Sequence, residues 1–449
     1  MNKKIDIIEG KIAKNLFRLS LPIILTSLIS ILYNLTDIKF ISSFLGDNAV
    51  SSAAAATFFI VFSAAFLIVP KNGAQILVAQ SIGAKIYKNA RSYARISIIL
   101  TFLASIFCLL VATIFTEGLI KMVGVTDLNI LKMASIFLRI SALGFPFLFM
   151  MFTLSAIISA DGNTFIPFVC TSTGILTNVI LDYIFLGPLH FGISGAALAT
   201  IISQFISFIM LVIYIRTPKS KFRNMKIFKL DPLERYINLI RIGLPAGISQ
   251  ALFTIISIII ATQISKIDVN ALGVQRLGVQ FEALSWNISM GVSSAVSTYV
   301  AQNYGAKKYD RVNETYKIAL ISMTVFGLLI TAVFVIFARP LFSTFFEEEV
   351  YIRYGVSYLR IIGLSQVFQC IEIITAGAFN GMGRVSEPTI IGAVGTGLRI
   401  PFVFIFAPIF GLNAIWIIIS MSMLLKGVVS YVWYIKSWNK FIEKKQIIV

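Results

Sequence analysis

Charged residues, cysteine and histidine are all scarce in this chain of 449 residues. Only 13% of the residues are Asp, Glu, Lys or Arg, whereas 57% are hydrophobic and the mean hydropathy is +0.89. A soluble globular protein of this length carries about 25% charged residues. The shortage of charge therefore excludes a soluble fold and predicts an integral membrane protein.

Three cysteines and a single histidine leave little material for catalysis or metal binding. Cys108, Cys170 and Cys370 lie in apolar runs without a CxxC spacing, so the sequence predicts neither a disulfide framework nor a thiolate metal site. His190 lies in the turn sequence GPLHFG, and the motifs HExxH and GxSxG are absent. We therefore predict no catalytic residue, no cofactor and no enzymatic activity, and keep a membrane-embedded enzyme as the least favoured alternative.

Long apolar segments follow one another from end to end, and each can cross a hydrocarbon core of about 30 Å as a helix. The first segment is too long for the core of a signal peptide, so we interpret it as a retained helix. The pattern predicts twelve transmembrane helices, at 16–45, 50–82, 92–115, 131–160, 164–187, 192–216, 236–265, 270–304, 314–338, 352–381, 386–410 and 411–436.

Basic residues are distributed very unevenly between the loops on the two sides of these helices. If the N-terminus is cytoplasmic, almost all loop lysines and arginines face the cytoplasm, so the positive-inside rule predicts a multi-pass protein of the cell membrane with both termini cytoplasmic. The net charge of +18 is then explained by anionic lipid rather than nucleic acid. A long basic linker at 217–235 separates an N-terminal lobe, 1–216, from a C-terminal lobe, 236–449.

The two halves of the chain are related in sequence. VAQSIGAKIY at 78–87 recurs as VAQNYGAKKY at 300–309, and Pro22 in RLSLP recurs as Pro245 in RIGLP. Matches at a nearly constant offset indicate a duplicated unit. Because each unit has an even number of spans, the repeats are parallel. We predict an all-α membrane protein with two six-helix lobes related by a pseudo-two-fold axis along the membrane normal around a central cleft.

Four polar residues of the N-terminal lobe fall at one depth in the membrane. At about 1.5 Å per residue, Asp37 in helix 1, Asn178 and Asp182 in helix 5 and Thr200 in helix 6 all lie in the outward half. Asn34 shares a helix face with Asp37, as Asn178 does with Asp182. A charge at this depth costs at least about 2.5 kcal/mol, so these acids are candidates for function.

Carboxylate, amide and hydroxyl oxygens together suit a sodium ion, and two neighbouring carboxyls suit a shared proton. In the second half of the chain, Asp37 aligns with Ile260, Asp182 with Val403 and Asn178 with Arg399. The acids therefore belong to the first copy alone, which favours a functional site over a structural ion pair. For Asn178 and Thr200, a hydrogen bond between helices stays an alternative.

Further charged residues lie inside apolar segments, and Glu372 falls close to the cytoplasmic end of helix 10. Glu282 falls near the midplane of helix 8, where it binds a cationic substrate or pairs with Arg276 or Arg399. Lys39 and Lys71 either extend to the interface or neutralise an acid. The sequence leaves these alternatives open.

The chain resembles the multidrug and toxic compound extrusion (MATE) transporters, especially the DinF-like branch within the MOP flippase superfamily. The resemblance covers the whole chain. It rests on RLSLP followed by YNLTDIKFISSFLG, on VAQxxGAKxY closing helices 2 and 8, and on NVILD in helix 5 with GISGAALAT after it.

This resemblance implies export of drugs or toxic organic cations by antiport with sodium or protons. It implies that Asp37, Asn178, Asp182 and Thr200 form the cation site of the N-terminal lobe, and that helix 1 bends near Pro22 as the occupancy of that site changes. Alternating access between the two lobes follows from the same likeness.

As partners we expect a cationic or amphiphilic small molecule, for which Tyr33 and Glu282 are candidate contacts, and membrane lipid. We expect no nucleic acid and a monomeric protein. The main alternative is a lipid-linked oligosaccharide flippase of the same superfamily. Such a protein needs a cavity lined with cations for a pyrophosphate, and the intramembrane cations of this chain are scattered along the sequence.

Overall fold

The computed structural model of the protein describes residues 5–227 and 229–446. Position 228 in the predicted linker, and the two ends of the predicted lobes at 1–4 and 447–449, lie outside the described residues. Within the described ranges every regular element is an α-helix, which confirms the predicted all-α class. These helices are α1 Ile12–Leu45, α2 Asp47–Gly83, α3 Tyr87–Ile114, α4 Thr116–Met122, α5 Leu128–Leu143, α6 Phe145–Ala160, α7 Phe165–Leu186, α8 Gly192–Arg216, α9 Leu233–Ile267, α10 Val269–Gly305, α11 Tyr309–Ile336, α12 Ala338–Ser343, α13 Glu349–Gly363, α14 Gln366–Gly381, α15 Ser386–Gly397, α16 Arg399–Phe410 and α17 Leu412–Gln446.

Each predicted transmembrane segment corresponds to one helix or to one pair of helices. In the part of the chain that the structure describes, nine spans are long and apolar enough to cross a membrane. Two more are helix pairs with a break, α5 with α6, bent by 48°, and α13 with α14, bent by 47°. The remaining segment, 270–304, is α10, which is as long as α2 but more polar. The membrane-spanning elements are helices because lipid offers no hydrogen-bond partner to backbone N–H and C=O groups, and a helix pairs these groups internally.

The duplication inferred from sequence recurs in local backbone geometry. The break between α5 and α6 lies at Gly144, and the break between α13 and α14 lies at Leu364 and Ser365, at the equivalent place in the second copy. Lys85 and Lys307, equivalent residues of the two VAQxxGAKxY motifs, both take positive φ values, 62° and 59°. Because lysine seldom adopts this conformation, its recurrence marks two copies of one motif.

The chain divides into two compact units. The first comprises the residues up to Gly10, then Phe17–Gly247 and Ala301–Lys307. The second comprises Lys11–Leu16, Ile248–Val300 and the residues from Lys308 onward. The predicted lobes, 1–216 and 236–449, remain a prediction.

The ends of α2 and α10 approach each other closely within the first unit. A Cβ added to Gly83 would overlap the backbone of Gln302, and one added to Gly305 would overlap the backbone of Gln80. These two contacts join equivalent residues of the two motif copies. Glycine at this motif position therefore lets two helix backbones meet.

The basic linker packs against the first unit through ion pairs. Asp231 accepts hydrogen bonds from Arg95 Nε and Ser92 Oγ, both at 2.7 Å. Lys221 Nζ lies 2.6 Å from Asp161 Oδ1. These contacts hold the linker against the start of α3 and the turn that follows α6.

Candidate functional site

Helices α1, α7 and α8 bring the predicted polar residues together inside the first unit. Asn178 and Asp182, one turn apart on α7, are each 1% exposed. Asn178 Nδ2 donates a hydrogen bond to Thr200 Oγ1 on α8 at 3.4 Å, and Thr200 donates to the backbone oxygen of Ala196 at 2.9 Å. At Gly174, a turn before Asn178, the side chain of Ser207 fills the space that a Cβ would need, so α7 and α8 pack closely.

Asp37 on α1 meets Asp182 on α7. The two carboxyls lie within hydrogen-bonding range of each other, and both lie near the hydroxyl of Tyr33, one turn before Asp37. The side chain of Thr200 lies close to the same hydroxyl. Side chains of three helices therefore meet in one cluster, the four residues placed at one depth from the sequence together with Tyr33. We call it the acidic cluster: Tyr33, Asp37, Asn178, Asp182 and Thr200.

The acidic cluster is rich in hydrogen-bond acceptors and poor in donors. Among the described residues, its buried oxygens without a hydrogen-bond partner are Asp37 Oδ1, Asn178 Oδ1 and both carboxylate oxygens of Asp182. Buried polar atoms are normally paired, and two carboxylates offer each other no donor. A proton shared by the acids, or a sodium ion held by these oxygens, supplies the missing partner, so the donor set fits either ion.

Two α1 side chains next to the acidic cluster point elsewhere. Asn34, which the spacing grouped with Asp37, is exposed, and Tyr33 is the residue that reaches the acids instead. A helix advances 100° per residue, so neighbouring positions diverge by more than a quarter turn. Lys39 is also exposed and forms no ion pair within the described ranges, as expected if it lies away from the acids. Lys71 places Nζ 5.7 Å from the ring centroid of Phe152.

Glu282 lies in the second unit and has a partner that the sequence did not suggest. The carboxyl is buried and accepts a hydrogen bond from the hydroxyl of Tyr358 on α13. Arg399 acts on Glu282 electrostatically without a direct ion pair, and Arg276 is exposed. Residue spacing in the sequence could not predict this pair, because the contact between α10 and α13 depends on tertiary packing.

Comparison with known proteins identifies the family and the fold of this chain. A model described as MatE matches residues 22–184 and 245–405, more than half of the chain, and the two matches begin at the repeated prolines Pro22 and Pro245. The chain belongs to the MatE family. Membership confirms the predicted MATE resemblance and a transporter rather than an enzyme. The DinF-like branch stays a prediction.

Curated MatE relatives match over nearly their full length. The chain is 26% identical to the probable multidrug resistance protein YoeA of Bacillus subtilis over 442 residues, 94% of each protein. It is 25% identical to the probable multidrug resistance protein NorM of Thermotoga maritima, over 96% of this chain and 94% of that protein. A MATE structure solved in a bent conformation superposes with a TM-score of 0.91 at 20% identity and covers 99% of both chains. The shared fold confirms a multi-pass α-helical membrane protein.

Proposed function

We propose that this MatE protein exports cationic or amphiphilic small molecules from the cell by antiport with sodium ions or protons. The relatives named as probable multidrug resistance proteins support the substrate class. The observation that carries the ion coupling is the set of buried acceptor oxygens without donors in the acidic cluster. The relatives and structures described above lend no support to the flippase alternative.

The acidic cluster acts as the switch between two ligands. When Asp37 and Asp182 are both ionised, their carboxylates repel each other, and a cation that binds between them removes this repulsion. The hydroxyl oxygens of Tyr33 and Thr200 attract the same cation. A sodium ion or proton neutralises the pair and removes the attraction for a cationic substrate. A ligand shifts a conformational equilibrium only if it binds one conformation more tightly than the other. Because the coupling ion and the substrate bind the same two acids, each of them can favour a different conformation.

Pro22 gives α1 a point at which it can bend. Proline lacks the backbone N–H that would bond to the preceding turn, which weakens the helix there. Thr26 Oγ1 bonds to the backbone oxygen of Pro22 at 2.8 Å, a type of contact that also favours bending. Asp37 lies four turns further along the same helix, so occupancy of the acidic cluster is coupled to the shape of α1. MATE neighbours solved in bent and in straight conformations are consistent with this proposal.

Transport by purified protein in liposomes tests the proposal. Efflux of a cationic dye is followed with a sodium gradient or a pH gradient imposed separately, and the gradient that drives efflux identifies the coupling ion. Asp37→Asn and Asp182→Asn should each reduce ion-driven efflux to background while folding and insertion are retained. Glu117→Gln, which neutralises an exposed acid outside the acidic cluster, is the matched control. Full gradient-driven efflux by Asp37→Asn would contradict the assignment.

The orientation of the protein is part of the same proposal. The distribution of basic residues between the loops favours cytoplasmic termini, with 217–235 on the cytoplasmic side. Labelling of single cysteines introduced at exposed positions, Lys219 and Glu117, by an impermeant maleimide in intact cells tests it. Labelling at 117 and protection at 219 are expected, and the reverse pattern would require inverted termini.

A further inference from the structure

The second unit carries a cationic side chain, Arg399, at the repeat position of the neutral Asn178. Arg399 Nε on α16 donates a hydrogen bond to Ser422 Oγ on α17 at 2.6 Å. Arg399 is the repeat equivalent of Asn178, whereas Ser422 aligns with Ser203, three residues after Thr200. Both residues form a hydrogen bond to the helix that follows, at different positions along it, but the side chain of the second copy is cationic.

The acids of the first copy have apolar counterparts at this place. Ile260, aligned with Asp37, is 4% exposed, and Val403, aligned with Asp182, is 1% exposed. Neither can bind a cation. The duplicated position has thus changed from a set of oxygen acceptors to a single strong donor.

Arg399 has donor capacity that the protein does not use. Its side chain is 6% exposed, and in the part of the chain described by the structure it forms no ion pair. The two nearby acids have partners of their own, since Glu282 is bonded to Tyr358 and Glu372 lies 2.9 Å from Lys426. A guanidinium carries five N–H donors, and the hydrogen bond to Ser422 uses one of them.

An apolar groove opens beside this arginine. It has a volume of about 750 Å³, which is in the range of small-molecule sites. Arg399, Ser422 and Asn413 are its polar lining residues, and its walls are formed mainly by aromatic and aliphatic side chains of α16 and α17: Phe402, Phe406, Phe410, Ile417 and Met421.

We propose that this groove binds an amphiphilic organic anion, with its carboxylate on Arg399 and its apolar body against the phenylalanines. The carboxylate satisfies the unused guanidinium donors in the bidentate geometry that arginine favours. A cationic guest would be repelled by the arginine, and a small inorganic anion would leave the apolar walls without contacts. The groove lies wholly in the second unit, so the inference is independent of ion coupling at the acidic cluster.

Photolabelling of the full chain tests the site. The protein is placed in nanodiscs of zwitterionic phosphatidylcholine, so that no anionic lipid competes, and exposed to a long-chain fatty acid that carries a diazirine. The matched probe is the corresponding fatty alcohol, which has the same tail without the charge. We expect labelling of α16 and α17 by the acid, and about tenfold less saturable labelling by the alcohol, the range of one charged hydrogen bond.

Variants separate the arginine from the groove. Arg399→Leu should weaken binding of the fatty acid about tenfold and leave binding of the alcohol unchanged, whereas Arg399→Lys should retain part of the preference for the acid. Ile417→Trp should occlude the groove and lower labelling by both probes. Phe404→Trp changes a similarly exposed residue of α16 outside the groove and should label like the wild type.

Three results would overturn the proposal: equal labelling by acid and alcohol in the wild type, an unchanged affinity in Arg399→Leu, or the same effect of Ile417→Trp and Phe404→Trp. If Arg399→Leu does not fold, the comparison of Ile417→Trp with Phe404→Trp still decides whether the groove is the site. Failure of the anion site leaves sodium- or proton-driven efflux of a cationic dye unaffected, so the two proposals fail separately.

Discussion

Individual residues show how the protein treats buried charge differently in its two units. In the described part of the chain, Asp37 and Asp182 lie close to each other with oxygens that have no hydrogen-bond donor, whereas Glu282 is bonded to Tyr358 and Glu372 is paired with Lys426. An isolated charge in the membrane is costly, so most such groups pair within the protein. The acidic cluster departs from that pattern, which is why we assign ion binding to it rather than to Glu282.

Asp231, outside the membrane-spanning helices, provides a pH test of the linker. Burial raises the pKa of its carboxyl, but the hydrogen bonds from Arg95 and Ser92 and the positive charges of Arg95 and Arg235 together outweigh burial, and the net pKa lies below its usual range. A lowered pKa stabilises the fold at neutral pH, and this stabilisation is lost as the pH falls below about 3.9, the ordinary aspartate value, through the folded pKa. We expect Asp231→Asn to lower stability by about 1.5–3 kcal/mol at pH 7.

The measurement is thermal unfolding of the purified variants between pH 7 and pH 3. The gap in Tm between wild type and Asp231→Asn should shrink as the pH falls. Glu443→Gln removes an exposed acid and should leave Tm unchanged across the range. A gap that widens toward acid pH would show that the carboxyl is not stabilised as an anion.

At the scale of helices, the two repeats are compared best by where a helix is broken and where two helices approach each other closely. α5 with α6 and α13 with α14 bend at equivalent places, but α7 is continuous where its counterpart is divided at Leu398 into α15 and α16. That divided helix carries Arg399. The two repeats therefore differ in helix continuity and in polar residues on the same helix, where Asn178 and Asp182 are replaced by Arg399 and Val403.

The crossing of α2 and α10 yields a prediction at this scale. Gly83→Ala should destabilise the protein by about 1–3 kcal/mol, because its Cβ would overlap the backbone of Gln302 and the helices would have to separate. Gly118→Ala, on α4, meets nothing within 4 Å and should be neutral or slightly stabilising. Denaturation monitored by fluorescence compares the two, and equal stability would show that the close approach is not required.

For the whole molecule, the proposed antiport requires that ion occupancy of the acidic cluster change the shape of α1. Pro22→Ala restores the missing N–H of α1 and favours its straight form by up to about 3 kcal/mol. We expect ion-driven efflux to slow about tenfold or more, since 1.4 kcal/mol corresponds to tenfold, while ion binding to the acidic cluster is retained. Pro245→Ala, the same change in the second repeat, lies on a helix without the acids and should have the smaller effect. Loss of ion binding in Pro22→Ala would instead indicate a local folding defect.

The sequence by itself determined the membrane class, the positions of the spans and the duplication, because hydropathy, charge and repeats are properties of consecutive residues. It also placed Asp37, Asn178, Asp182 and Thr200 at one depth, since helix rise converts residue number into height. Rotation about each helix axis and contacts between distant helices were decided only by tertiary packing. Packing selected Tyr33 over Asn34, joined Glu282 to Tyr358, and opened a groove beside Arg399.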